Sequence, residues 1–158
     1  MYSINTSSIK DPVEKILYVN PIRTIWRMSY LVQCFGEPLY SNIERLHGVS
    51  RTELVAMHCI ALSGELRAQQ VVEILLRPKN TVSGAVHSLT RKRLIMRKAD
   101  LEDGRSAILR LTTKGRELYD LLLPELERRH EHLVAKLSET EQRTLDRLLL
   151  KMIGKSPE

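Results

Sequence analysis

The stretch PKNTVSGAVHSLTRKRLIMRKADLEDGRSAILRLTTKGR, residues 78–116, changes period part-way along, and that change decides the fold. From Pro78 to Arg93 apolar residues recur at helical spacing, with Val82, Ala85, Val86 and Leu89 on one side. From Leu94 the pattern turns strand-like. Leu94-Ile95-Met96-Arg97-Lys98 and Ala107-Ile108-Leu109-Arg110-Leu111 flank Asp100-Leu101-Glu102-Asp103-Gly104-Arg105, a segment of turn formers. The expectation is a helix followed by a β-hairpin with a charged tip.

The same region holds the excess charge of the chain. Arg77, Lys79, Arg91, Lys92, Arg93, Arg97, Lys98, Arg105, Arg110, Lys114 and Arg116 are opposed only by Asp100, Glu102 and Asp103. That local excess of eight exceeds the net charge of +6, so the rest of the chain is slightly acidic. Such a concentration marks a polyanion partner, the plain alternative being a solvated basic face. The outer side of the helix reads Asn80, Ser83, Gly84, His87, Ser88 and Arg91, with no acid among them. A face without carboxylates can approach phosphates and base edges without repulsion.

Working outward, helix punctuation marks the remaining elements. Asp11-Pro12 and Asn20-Pro21 each offer an N-cap with proline at the first helical position. From Pro21 a helical pattern runs on, kinking or restarting at Glu37-Pro38, to a stop at Gly48. Ser50-Arg51-Thr52-Glu53 is a capping box, opening a helix with Leu54, Met57, His58 and Ala61 on one stripe and an end near Ser63-Gly64. A short Glu65-Leu66 segment leads to a helix from Ala68 to Leu76. Beyond the hairpin, Thr112 and Thr113 cap a long leucine-striped helix bent at Pro124, and Ser138 to Glu141 is a second capping box before a final amphipathic helix.

Composition bounds the class. The 158 residues suit one domain, or a small module with a dimerisation appendage. Aromatic residues make up only 4%, so the core is aliphatic. Two cysteines, Cys34 and Cys59, are too few for a disulfide scaffold and point to a reducing compartment. Met1 to Lys10 lacks the apolar run of a signal peptide, and no stretch approaches the ~20 apolar residues of a membrane span. A cytoplasmic protein is expected, with no membrane partner.

Helices joined by tight turns and followed by a two-stranded wing define a mainly α fold with a small β-hairpin, the winged helix-turn-helix. Residues 1–47 are read as an N-terminal helical dimerisation region, 48–112 as the winged helix-turn-helix, and 113–158 as a C-terminal helical dimerisation region, all in one compact protomer. The leucine stripes of the terminal helices are too long to be buried by so small a module and are expected to pair with a second chain.

The run Asp103-Gly104-Arg105 through Leu111-Thr112-Thr113-Lys114-Gly115 resembles the wing and following helix of the MarR family of bacterial transcription regulators. Thr81-Val82-Ser83 is similar to part of the family's recognition helix, and Gly48-Val49-Ser50 with Glu53-Leu54 to the entry of its second helix. Element order matches from about Pro21 to Ile153. Arg93 departs from the pattern, standing where the family carries a glycine helix stop; it must either bear strain or end the helix differently. Gly84 stands where many members have a basic or polar contact.

The resemblance implies a dimeric repressor bound to a pseudo-palindromic double-stranded operator, with the Pro78–Arg93 helix in the major groove and the wing in the adjacent minor groove. Asn80, Thr81, Ser83, His87 and Ser88 are the candidates for base edges and nearby phosphates. Arg77, Lys79, Arg91, Arg97 and Lys98 would hold the backbone. Arg105, oriented by Asp103, would enter the minor groove. Thr81 has the alternative role of a helix cap.

Family members sense a small molecule beside the dimerisation helices, and by position Arg23, Trp26, Arg27, Tyr30, Met57 and His58 could line such a cleft. Arginine beside aromatics suits an aromatic acid, a phenolic compound or a related thioester; the competing reading for Trp26, Met57 and His58 is core. Two rivals stay open: a redox sensor using Cys34 or Cys59, and a non-specific nucleic-acid-binding module. No cofactor or metal is expected, since His130 and His132 lie two apart on a helix and no Cys/His cluster has ligand spacing. Nor is an enzyme, for no nucleophile elbow, phosphate-binding glycine loop, HExxH or carboxylate cluster is present.

Overall fold

Caps written into the sequence set the element boundaries. The computed structural model describes residues 9–100 and 107–154. Their elements run α1 (Pro12–Tyr18), α2 (Arg23–His47), α3 (Arg51–Ser63), β1 (Leu66–Arg67), α4 (Ala68–Leu75), α5 (Lys79–Arg91), β2 (Ile95–Ala99), β3 (Ala107–Leu111), α6 (Thr113–Val134) and α7 (Glu139–Ile153). No described helix is long and apolar enough to cross a membrane. The chain divides into two units, residues 1–39 and 40–158.

In the first unit the Asp11 carboxylate accepts from the Val13 N–H at 2.8 Å and caps α1. Asn20 repeats the device, its Oδ1 accepting from the Ile22 N–H at 2.9 Å. Arg27 Nε donates to the Leu17 carbonyl at 2.8 Å, and its guanidinium lies 5.5 Å from the Tyr18 ring centre. That side chain ties the start of α2 to α1. No residue of α1 is buried, and Val13, Ile16, Val19, Ile22 and Ile25 are exposed. Of the kink or restart expected at Pro38, the restart does not occur: α2 runs through it as one element.

The second unit holds an aliphatic core around α3, with Ile43, Val49, Leu54, Met57, Ile60, Val71, Leu89, Ile95, Leu109 and Leu122 buried. Val82, Ala85, Val86 and Leu89, the apolar side expected of α5, are all buried. The sheet has three strands where sequence reading expects two. Leu66 and Arg67 form β1 and pair antiparallel with Leu109 and Ile108, giving the order β1-β3-β2. Two residues are too few to show an alternation, so the only trace of β1 in the sequence is an apolar residue after a helix stop.

The corner between α5 and β2 is the tightest part of the fold. Arg93 adopts φ +58°, the left-handed conformation that a glycine would take without strain. The Leu94 N–H donates to Leu89 O at 3.0 Å and the Arg93 N–H to Thr90 O at 3.0 Å, the bond pair of a Schellman stop. The backbone requirement is thus met by arginine, with strain. Thr112 closes the corner from the other side. Its hydroxyl donates to Arg93 O at 2.7 Å and accepts from the Gly115 N–H at 3.0 Å, while its own N–H donates to Leu94 O at 3.0 Å. The first turn of α6 is pressed so closely on this corner that a Cβ at Gly115 would lie 1.8 Å from Leu94 O. The Leu111-Thr112-x-x-Gly115 spacing is therefore a packing device joining α6 to the end of α5.

A buried carboxylate joins the same helix end to α3. Glu53 is only 3% exposed and accepts from the Ser50 N–H at 2.7 Å and from Lys92 Nζ at 2.6 and 2.8 Å. Lys92 Nζ also donates to Gly48 O at 2.6 Å. Burial pushes the Glu53 carboxyl up; hydrogen bonds from Lys92, Ser88 and the Ser50 N–H, with the Lys92 charge, more than reverse this and hold it below its ordinary value.

Three outcomes follow for stability. Gly115→Ala forces a methyl into a backbone carbonyl and is expected to cost about 3 kcal/mol or more, read by denaturant unfolding. Arg93→Gly removes the left-handed strain, less the extra freedom of the unfolded glycine, and should add about 0.5–1 kcal/mol. Glu53→Gln tests the carboxylate by its pH dependence. Because the folded pKa is depressed, the contribution is full above the unfolded value of about 4.3 and is lost as pH falls through the folded value. Wild type should therefore exceed Glu53→Gln at pH 7, with the gap narrowing as pH drops below about 4; a gap unchanged across that range would count against an ionised Glu53.

Candidate nucleic-acid interface

The exposed side of α5 starts at a turn that forces its side chains outward. Pro78 disfavours helix at Arg77, so α4 must stop, and Leu76 turns the chain with φ +48°. Leu76 is 89% exposed, an uncapped apolar group at the turn. Pro78 is the N-cap of α5 and supplies no side-chain capping bond, and the first turn contains no acid. Thr81 is therefore not the cap; its N–H donates to Pro78 O at 2.9 Å. The N-terminal end of α5, with its uncompensated N–H groups, carries partial positive charge toward solvent.

Arg77, Lys79, Asn80, Thr81, Ser83, Gly84, His87 and Arg91 are all exposed along this side. Ser88 differs: it is half-buried, and it helps to hold the Glu53 carboxyl below its ordinary value. On the wing Arg97 and Lys98 are exposed on β2 beside Met96, itself 53% exposed. Asp103 and Arg105 lie outside the described residues. The end of β2 is anchored by Asp100, 4% exposed, whose Oδ2 accepts from Arg67 Nε at 2.6 Å. Arg110 of β3 is paired with Glu65.

The basic excess is thus divided between two uses. Lys92 serves Glu53, Arg110 serves Glu65, Lys114 Nζ donates to Lys92 O at 3.3 Å, and Arg116 donates to Ala61 O at 3.3 Å. Arg77, Lys79, Arg91, Arg93, Arg97 and Lys98 are left on the surface of α5 and the wing. Charge counting along the sequence has no means of separating the two groups, since Glu53 and Glu65, the acids that hold Lys92 and Arg110, lie about 40 residues away.

The residues considered for a small molecule fall into different settings. Arg23, Trp26 and Tyr30 are exposed on α2, whereas Arg27 is occupied by Leu17 O and Tyr18. Met57 is fully buried in the second unit. His58 Nδ1 lies 2.9 Å from the Tyr119 hydroxyl, with ring centres 5.8 Å apart. Tyr119 is buried, and burial pushes its hydroxyl up. Of the cysteines, burial pushes the Cys59 thiol up, away from the reactive thiolate. Cys34 is exposed on α2, one helical turn from Tyr30, and its sulfur raises the Tyr30 hydroxyl pKa.

This geometry agrees with what the chain is similar to. Residues 47–106 match the model of the MarR family. The HTH-type transcriptional regulator MhqR of Bacillus subtilis is 27% identical over 95 residues, which cover 60% of this chain and 66%, just under two thirds, of that protein. Among solved structures, a MarR family regulator from Silicibacter pomeroyi superposes with TM-score 0.74 at 22% identity, over 82% of this chain and 87% of its own. A mutant MarR from E. coli, complexed with operator DNA, superposes with TM-score 0.71 at 18% identity, over 87% and 96%. Over residues 47–106 the chain is similar to the MarR family, and its fold is that of these solved regulators.

Proposed function

We propose that the protein is a homodimeric repressor that binds a pseudo-palindromic DNA operator and is released by a small aromatic acid, a phenolic compound or a related thioester. The observation that carries the DNA reading is the outer side of α5: exposed from Arg77 to Arg91, cationic at both ends, and without a single acid. Such a surface fits the major groove, with Asn80, Thr81, Ser83 and His87 toward base edges and Arg77, Lys79 and Arg91 toward phosphates. Arg97 and Lys98 extend the backbone contacts along the wing, and on the same reading Asp103 and Arg105 are the candidates for the minor groove. Ser88 is assigned to the Glu53 pair and not to DNA.

The dimer rests on apolar surface. No residue of α1 or α7 is buried within the chain; Leu145, Leu148, Leu150, Met152 and Ile153 of α7 are exposed, and so are Val13 and Ile16 of α1 and Ile25 of α2. Uncovered apolar area of this extent in two terminal regions calls for a second copy. Two-fold pairing would place recognition helices about 34–36 Å apart, one turn of DNA. For the effector, Arg23, Trp26 and Tyr30 are the accessible side chains, an arginine beside aromatics that suits an aromatic carboxylate.

The test is binding of purified protein to a duplex it selects from a random-sequence pool, beside a scrambled duplex, at two salt concentrations. Tight, salt-sensitive preference for the selected duplex is expected, with an inverted repeat spaced by one helical turn. Arg105→Ala should weaken the selected duplex about tenfold, and Lys79→Ala should weaken both duplexes and lower the salt slope by about one. Aromatic acids titrated into the complex should release the DNA. Equal weak binding to both duplexes, unaffected by either substitution, would sink this reading.

A further inference from the structure

The centre of the proposed DNA-facing side is the one place on it without a side chain. Gly84 lies in the middle of α5, one turn after Asn80 and one turn before His87 and Ser88, and is exposed. Its conformation gives no reason for glycine: the left-handed glycines are Gly48, Gly64 and Gly154, and Gly84 is not among them. Packing gives none either. A Cβ at Gly84 would meet nothing within 4 Å, in contrast to Gly115, where it would strike Leu94 O. Glycine inside a helix is less stable there than alanine, because its unfolded chain has more freedom to lose. Among the described residues nothing offsets that cost, so the space above Gly84 is open to something outside the chain.

We infer that Gly84 sets the depth and specificity of DNA reading: it lets the α5 backbone reach van der Waals contact with a base-pair edge, and its bare Cα surface meets the C5-methyl of a thymine. This rests on the DNA-binding reading above and names a determinant within it. Asn80, Ser83 and His87 surround the position with groups able to hydrogen-bond neighbouring edges, while Gly84 itself offers no donor or acceptor. An apolar spot flanked by polar readers matches the methyl of thymine, the one apolar feature that the major groove presents. A methyl group added to the protein at this point would compete with the methyl on the DNA.

The competition can be measured from both sides. Gly84→Ala should raise the Tm by about 2–4 °C, because the helix gains a better former without a clash. It should weaken the pool-selected duplex about tenfold while leaving a scrambled duplex within about twofold. Replacing the thymines of the half-site by uracil one at a time removes single methyl groups. At one position uracil should weaken wild type and restore binding of Gly84→Ala, the alanine methyl filling the space left by the base. A second variant, Gly84→Arg, adds a cation and should raise binding to scrambled DNA while reducing the preference for the selected duplex. Unchanged preference in Gly84→Ala would overturn the inference even with wild type selective and Lys79→Ala impaired, so that the DNA reading survives. Weakened binding with no uracil rescue at any position would overturn the thymine contact. A lowered Tm in Gly84→Ala would overturn it as well, by showing a structural need for glycine. A wild type without sequence preference would remove the inference together with the reading it rests on.

Discussion

A carboxylate taken out of water must be given back as many partners as it lost, and Glu53 is where this chain meets that demand. Its bonds come from the Ser50 N–H at the start of α3 and from Lys92 at the end of α5. Each donor belongs to a segment whose position matters to the interface. The start of α3 is set by its cap, and the exposed side of α5 is set by which of its residues turn inward to serve that cap. Replacing any one donor leaves a buried charge under-satisfied, so the two helices cannot rotate independently. The Gly115 contact adds a third body, because α6 approaches the same helix end through Leu94 O. Three helices are thereby fastened within a few residues of one another.

What was legible in the sequence was whatever local chemistry dictates. Asp11, Ser50, Thr112 and Ser138 cap helices as their spacing implies, because a cap needs only its own first turn. The apolar side of α5 and the two wing strands followed from periodicity alone. What was hidden depends on partners distant in the chain. β1 exists because β3 offers it a ladder, Lys92 is a structural residue because Glu53 is buried, and Asp100 holds the base of the wing because Arg67 reaches it. The helix stop at Arg93 was open between strain and another ending; the backbone took the left-handed form, since the Schellman bonds and the Thr112 contact constrain it from both sides.

The cation-rich stretch was legible in the sequence, and its division between paired and exposed cations was not. Residues 77–116 carry cations that hold the sheet and helix corners together and cations that stay exposed, and only three-dimensional pairing tells them apart. The residues left exposed on α5 and β2 form a narrower set than the charge total suggests. Two of the positions around α5, Leu76 and Arg93, adopt left-handed backbone that glycine would adopt more easily, and a third, Gly84, is glycine where the helix would prefer a side chain. All three run against local propensity, and all three border or occupy the same exposed side. Departures of this kind are expected where a surface is shaped for contact and not for its own stability.

The order of strands carries a consequence for how the chain is made. β3 is the middle of the sheet but the last of its strands in the sequence, with Leu66 paired to Leu109 across about 40 intervening residues. During synthesis β1 and β2 both emerge with no neighbour to bond, and neither can form a ladder until residues 107–111 leave the ribosome. Until then α3, α4 and α5 have only each other to bury against, and the Leu94 carbonyl waits for Thr112. The wing and the clamp on the end of α5 thus close in one late step, so that a stalled nascent chain ending before Leu111 would carry the α5 side chains without the frame that fixes them.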